Sequence, residues 1–281
     1  MRNLIVNADD FGIHSSVNDA VCEAYEHGLL RSTSLIATGA AAEEAAEMSR
    51  ERKGLSVGIH ITLVAESPAL PADQVKSLVG EDGKFLPAYG AFMKRYFSGG
   101  FDKAELYAEC EAQILRAKDL GVKISHLDSH QHLHVLPEVL EVCFELMKKY
   151  HIPCMRIPAE PYMFTGEYPV SFFRWGAKCA LSFLAGQAKS KAKQQGFRVP
   201  DAFFGMSAGG HMEEKYFFGV LKNLPDGVSE IMLHPGTDNK ALARKYDWGY
   251  HWEEELSSVI SHGVLQYTFS HGIVPISYHD L

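Results

Sequence analysis

Several short apolar runs in this 281-residue chain end on residues equipped for acid–base or metal chemistry. Leu4–Val6 leads into Asn7-Ala8-Asp9-Asp10, Val57–Ile59 into His60, and Ile124–Leu127 into Asp128-Ser129-His130-Gln131-His132. Met155 precedes Arg156, and Ile231–Leu233 precedes His234-Pro235-Gly236. Adjacent carboxylates at Asp9 and Asp10 allow a division of labour in which one binds a cation and the other handles a proton. Successive strand residues point to opposite faces, so a turn is needed to bring both into one pocket; a plain surface turn is the competing reading of D-D-F-G. His60 interrupts an apolar run, a setting shared by core histidines and ligands. His130, His132 and His134 alternate at the spacing of one strand face, near His126 and Asp128. A mixed imidazole and carboxylate set suits a divalent metal, with zinc, manganese and magnesium all compatible. Three protein ligands with open water positions make a catalytic rather than a structural arrangement. The chain has neither a phosphate-binding G-x-x-x-x-G-K-S/T loop nor a G-x-S-x-G nucleophile elbow.

The elements that must position these residues alternate between short apolar runs and longer amphipathic stretches. Strands are expected at 4–7, 34–38, 55–61, 123–127, 155–157, 230–233 and 274–277. Helices are expected at 16–27, 41–52, 103–120, 137–150 and 252–261, with Pro137 suited to a first helical turn. Two stretches break the rhythm: a Pro- and Gly-rich insertion at 64–102 with one short helix, and a longer irregular or helical section at 158–210. Repeated strand–helix units imply a parallel sheet with right-handed crossovers. In a barrel, all strand C-terminal ends converge on one face, whereas an open sheet gathers only those beside its switch point. Five polar strand ends therefore favour an irregular α/β barrel over an open sheet, a single domain over 1–281.

A formal net charge of −8 argues against nucleic acid as the main partner. The four lysines Lys178, Lys189, Lys191 and Lys193 read as one solvated helix face. The aromatic pairs Phe172–Phe173, Phe203–Phe204 and Phe217–Phe218 read as core. The cysteines are odd in number and lack a C-x-x-C pair, and Cys22, Cys110 and Cys143 fall at apolar helix positions, so reduced buried thiols are expected. No apolar run reaches the ~18 residues of a membrane span, and no leader precedes the first strand, so a cytoplasmic location is expected.

Taken together, N-A-D-D-F-G at 7–12, G-I-H at 58–60, H-L-D-S-H-Q-H-L-H at 126–134, R-I-P at 156–158 and H-P-G at 234–236 resemble the YdjC/ChbG carbohydrate deacetylase family over nearly the whole chain. R-S-T-S at 31–34, E-D-G-K-F at 81–85, F-F-G at 203–205 and I-S-Y at 276–278 look similar to its hopanoid-associated HpnK branch. The resemblance implies a distorted TIM-like barrel, hydrolysis of the acetamide of an N-acetylated sugar or glycolipid, and a metal assigned as magnesium, with zinc or manganese as alternatives. It maps metal ligands onto Asp10, His60 and His130 and a catalytic base onto Asp9, and suggests a homodimer. By the logic of the similar polysaccharide deacetylases, Arg156 would orient the base and His234 would assist the tetrahedral intermediate and protonate the leaving amine. Asp128 and His132 are expected to orient a ligand imidazole or line the pocket. His14, a departure from the pattern, is expected at the pocket rim. A metal-dependent phosphoesterase and a non-catalytic sugar- or metal-binding barrel are the rival readings.

Overall fold

The computed structural model describes residues 1–281. Strand β1 (Arg2–Phe11) leads through helix α1 (Ser15–His27) to β2 (Ser32–Leu35), and α2 (Ala42–Glu51) leads to β3 (Ser56–Ile61). The 64–102 insertion carries a 3₁₀ turn at Ala72–Gln74 and helix α3 (Tyr89–Phe97). Its Val75, Leu78, Phe85 and Phe92 are buried, so it packs against the barrel as part of the core. Helix α4 (Lys103–Asp119) precedes β4 (Ile124–Ser129), and α5 (Pro137–Tyr150) precedes β5 (Cys154–Met155). After α6 (Phe172–Gln194) come β6 (Ala202–Phe204), α7 (Glu214–Lys222) and β7 (Gly227–Leu233). Helices α8 (Asn239–Lys245), α9 (Trp252–Ile260) and α10 (His262–Ser270) then lead to β8 (Ile273–Ile276).

All strand pairs are parallel, in the order β5-β4-β3-β2-β1-β7-β6. Strand β8 lies beside the first half of β1, pairing Arg2–Ile5 with Ile273–Ile276. The sheet is curled into a half-barrel, and β5 is bridged at Cys154 to Arg198 in the segment that leads into β6. This is the expected single-domain α/β architecture of a distorted TIM-like barrel. Strands covered on both faces read as continuous apolar runs; β1 is buried from Leu4 to Phe11 and departs from that pattern only at Asn7, Asp9 and Asp10. No helix is long and apolar enough to cross a membrane. All five cysteines are free thiols, and four are buried.

Three local departures have physical causes. The second strand lies at Ser32–Leu35, two residues before the expected start, because its polar residues are paired inside the barrel. Thr33 Oγ1 donates to the Ala8 carbonyl at 2.8 Å, and Ser34 Oγ accepts from Asn7 Nδ2 at 2.9 Å. The lysines of α6 do not share a solvated face: Lys178 is buried on the side that carries Ser182, Ala185 and Ala188. Its ammonium donates to the carbonyls of Pro161 (3.2 Å) and Phe164, beside Glu160 at 3.6 Å. Phe172 and Phe173 lie at the exposed start of the same helix rather than in the core. Strand β6 and helices α7, α8 and α10 were not expected from periodicity, their apolar runs being short.

Gly58, at the centre of β3, marks a close approach. A Cβ built there would lie 2.4 Å from Cε1 and Nε2 of His126, whose ring is stacked on Tyr278 at 3.7 Å. Gly58→Ala therefore overpacks a ring that has nowhere to go, at a cost of about 1–3 kcal/mol. The expected outcome is a lower urea midpoint with an unchanged m-value; an unchanged midpoint would show that the ring has room.

Candidate active site

Asp10 stands at the end of β1, where the pairing with β2 shifts register between Ala8 and Phe11. Its φ of 66° is left-handed, a conformation that Asp tolerates better than most residues. This irregularity breaks the strict alternation of the strand and brings Asp9 and Asp10 to the same imidazole, both within 3.9 Å of His60 Nε2. His60 comes from β3, and His130 follows the last residue of β4. Asp10, His60 and His130 each offer one ligand atom, all within 4.8 Å of one another. Asp10 Oδ1 lies 3.2 Å from His130 Nδ1 and 3.6 Å from His60 Nε2. Asp10 Oδ2 and His130 Nε2 are buried with no hydrogen-bond partner. Stranded polar atoms of this kind are costly and call for an explanation. A divalent cation fits these donors.

Asp128 orients one of the imidazoles. Its Oδ1 lies 2.7 Å from His60 Nδ1, which directs His60 Nε2 toward Asp10; carboxylates commonly fix metal-binding histidines in this way. Asp128 Oδ2 accepts from Ser34 Oγ at 2.8 Å and pairs with Arg156 Nη1 at 2.7 Å. The same guanidinium grips Asp9 with two bonds, Nη1 to Oδ2 at 2.7 Å and Nη2 to Oδ1 at 2.6 Å. Its Nε donates to Glu230 Oε1 at 2.9 Å. Asp9, His60 and Asp128 also cluster tightly enough to suggest a metal, but both carboxylates are already paired with Arg156.

The electrostatics follow from this crowding. Burial disfavours a charged His60, yet the carboxylates of Asp128, Asp9 and Asp10 outweigh it and hold its pKa up at about 9. Burial pushes Asp10 the other way, but His130, His234 and His60 hold it well below the usual carboxylate range. Glu230 is raised to about 7 by burial, against the pull of Arg156 and the Tyr278 hydroxyl. His126, buried beneath the site, is lowered to about 3 and stays neutral.

The pocket above these groups is a cavity of about 230 Å³ that Asp9, His60, His130, His132 and His234 help to line. That is below the ~300–1,000 Å³ of a drug-sized site and suits a single ring-sized group. His234, just past β7, has its Nδ1 buried and unbonded. Its backbone N–H is held by Glu255, which also accepts from the Met212 N–H at 2.8 Å. Trp248 and Tyr250 form an aromatic wall, with Trp248 5.1 Å from the His130 ring and Tyr250 4.7 Å from the His234 ring.

All eight expected site residues are brought to this side of the barrel, but the histidine run is not a strand. Strand β4 stops at Ser129, and His130–Val135 form a 3₁₀ segment broken by the left-handed Gln131 and His132. The three histidines consequently diverge. His130 turns to Asp10, while His134 folds back onto Ser129 Oγ at 2.7 Å and the Arg156 carbonyl at 3.1 Å. His132 sits edge-on to Phe203 and His134 with Nδ1 unbonded. His14 caps α1, accepting from the Ser16 N–H at 3.1 Å, and is not among the residues that line the pocket. Glu230 and Glu255 were missed as site residues: Glu230 begins an apolar run, Glu255 closes an acidic helix start, and neither carries a motif of its own; Tyr278 was read only as part of I-S-Y at 276–278.

The family model described as "YdjC-like protein" matches residues 3–268. A carbohydrate deacetylase of Thermoanaerobacter pseudethanolicus is 30% identical over 284 residues, covering 100% of both chains. A carbohydrate deacetylase of Homo sapiens is 35% identical over 246 residues, covering 83% of this chain and 74% of the human one. Among solved structures, an Enterococcus faecalis protein described as a candidate cellobiose-phosphate cleavage protein superposes with a TM-score of 0.77. It shares 26% identity over 99% of this chain and 98% of its own. With the match extending over almost the whole length, the chain belongs to the YdjC-like protein family.

Proposed function

We propose that the chain is a metal-dependent carbohydrate deacetylase that hydrolyses the acetamide of an N-acetylated sugar. The observation that carries this reading is the placement of Asp9, clamped by Arg156, beside the Asp10–His60–His130 donor set, 3.9 Å from His60 Nε2. The relatives named carbohydrate deacetylase support the substrate class. A binding protein has no need of a second carboxylate fixed next to the ligands. A two-metal phosphoesterase needs further ligands, and here the neighbouring carboxylates are committed to Arg156.

Asp10, His60 and His130 would hold the cation, which supplies Lewis acidity that polarises the acetamide carbonyl and acidifies water. Arg156 fixes both oxygens of Asp9; Oδ1 also accepts from Asn7 Nδ2 at 3.0 Å, so Oδ2 is the oxygen that retains a lone pair for a proton. Asp9 takes the proton of the attacking water as the new C–O bond forms. A protonated His234, which lines the pocket, passes a proton to the nitrogen as the C–N bond breaks, because an amide nitrogen leaves poorly without one. Acetate and a free amino sugar result. Two imidazoles and a carboxylate accept magnesium, as the family resemblance implies, and bind manganese or zinc more tightly. A glycolipid substrate of the HpnK-like branch, a cytoplasmic location and a homodimer belong to the same reading, supported by the motif resemblance and the free thiols.

Asp9→Asn is expected to keep normal metal content and to lose ~10²–10⁴-fold in acetate release from N-acetylglucosamine derivatives, glycolipids included. His130→Ala is expected to lose the metal as well, measured by elemental analysis. Full activity in Asp9→Asn would refute the base assignment.

Metal affinity should also depend on pH. In the metal-free site His60 holds a proton up to about pH 9, and binding must expel it. Affinity therefore rises about tenfold per pH unit from neutrality toward that value and then levels off. Calorimetric titrations in buffers of different ionisation heat would measure the single proton released; a pH-independent affinity would contradict the assignment of His60 as a ligand.

A further inference from the structure

A second group of metal-binding side chains stands at the pocket wall, apart from the Asp10–His60–His130 floor. His211, Glu213 and His251 each offer one ligand atom, all within 4.8 Å of one another. The two imidazoles meet edge to face with centroids 4.3 Å apart, and His251 Nδ1 lies 3.1 Å from Glu213 Oε1. None of the three has a part in the proposed acetamide chemistry.

The backbone is built to bring these donors together. His211 and Glu213 come from the turn before α7, and His251 from the loop before α9. Gly210 has φ +81°, and the Tyr250 ring lies 2.2 Å from where a Cβ would sit, so a side chain at 210 would drive the two segments apart. The His251 N–H donates to the Gly210 carbonyl at 2.7 Å, and the Glu213 N–H to the His211 carbonyl at 2.7 Å. Between His211 and Glu213, the Met212 N–H is pinned by buried Glu255. Tyr168 stacks against the other side of His211 at 5.6 Å. Preorganisation by packing and hydrogen bonds is what a ligand set requires of its scaffold.

We propose that His211, Glu213 and His251 form a second metal site, at the rim of the pocket, that takes a divalent transition metal of the zinc type. Two imidazoles and one carboxylate suit zinc, whereas calcium and magnesium favour sets made mostly of oxygen. Burial, together with the neighbouring His251 and Arg174, lowers the His211 pKa against the pull of Glu213 and Glu254. Glu213 and His251 are roughly half exposed, so the ion enters from solvent and keeps coordination positions open to water or to a ligand oxygen. An ion there ties the Gly209–Glu213 turn to the Tyr250–His251 segment. Since Gly209, His211 and Tyr250 all line the pocket, occupancy fixes its width.

The test is zinc stoichiometry of the full chain, stripped of metal, dialysed against a zinc buffer and analysed by elemental methods, with thermal melting alongside. The wild type should bind two ions, His251→Ala and Glu213→Gln one, and His130→Ala one. Zinc should raise the melting temperature of His130→Ala but not of His130→Ala/His251→Ala. A single wild-type ion that His130→Ala abolishes overturns the rim site and leaves the floor centre standing. A single ion that only the rim variants abolish upholds the rim site and counts against the floor. Two ions retained in both rim variants also overturn the proposal.

Discussion

The Arg156 guanidinium has no exposed surface, and its nitrogens end on the carboxylates of Asp9, Asp128 and Glu230. Those three come from β1, β4 and β7, while Arg156 itself follows β5. One planar cation thus fixes the relative positions of strands that are distant in sequence. A buried charge left without its partner costs several kcal/mol, about 3–5 when a buried pair is broken. The sheet is held to a geometry in which every arm of the fork is satisfied, and the site inherits that geometry. Asp9 is aimed by the same group that stabilises the barrel beneath it.

The site is also a place of unbalanced charge. The buried carboxylates of Asp128, Asp9 and Asp10 crowd around His60, while the one guanidinium is shared among Asp9, Asp128 and Glu230. The surplus explains why His60 keeps a proton despite its burial. It also explains why a divalent ion is at home there: the ion and the imidazolium proton answer the same deficit and exclude each other. Glu230 relieves part of the strain by sharing the Tyr278 hydroxyl at 2.6 Å. His126, held neutral between Gly58 and Tyr278, adds bulk below the site without adding charge.

What could be read from the chain in advance was the pairing of apolar runs with the chemistry at their ends. Asp9, Asp10, His60, Asp128 and Arg156 each follow a run whose burial is plain, and the helix at 137–150 runs as expected from Pro137 to Tyr150. Legibility failed where polar residues are satisfied inside the barrel. Ser32 and Thr33 fall outside the strand expected at 34–38 and yet belong to it, because their hydroxyls are bonded to other buried groups. Lys178 looks like surface and is buried, because backbone carbonyls receive its ammonium. The histidines after Ser129 looked like a strand face, and only the left-handed backbone of Gln131 and His132 separates their directions. Glu230 and Glu255 had no signal, since their partners lie far along the chain.

Strand β1 carries both aspartates of the pocket, yet its two edges are completed by residues from opposite parts of the chain. Arg2–Ala8 pair with β7, Arg2–Ile5 with β8, and Tyr278 donates its backbone N–H to Ser32 Oγ. Contacts of such long sequence separation form slowly, because loop closure must be completed before they contribute stability. During synthesis the strand bearing Asp9 and Asp10 can pair early only with β2, along Asn7–Phe11, and its β7 edge and the Arg2–Ile5 stretch wait until the residues after 227 have emerged. An incompletely made chain exposes an apolar ribbon with unpaired backbone groups, the kind of surface that invites misassembly. The arrangement that makes the site dependent on the whole barrel also makes the nascent protein reliant on prompt completion or on chaperone cover.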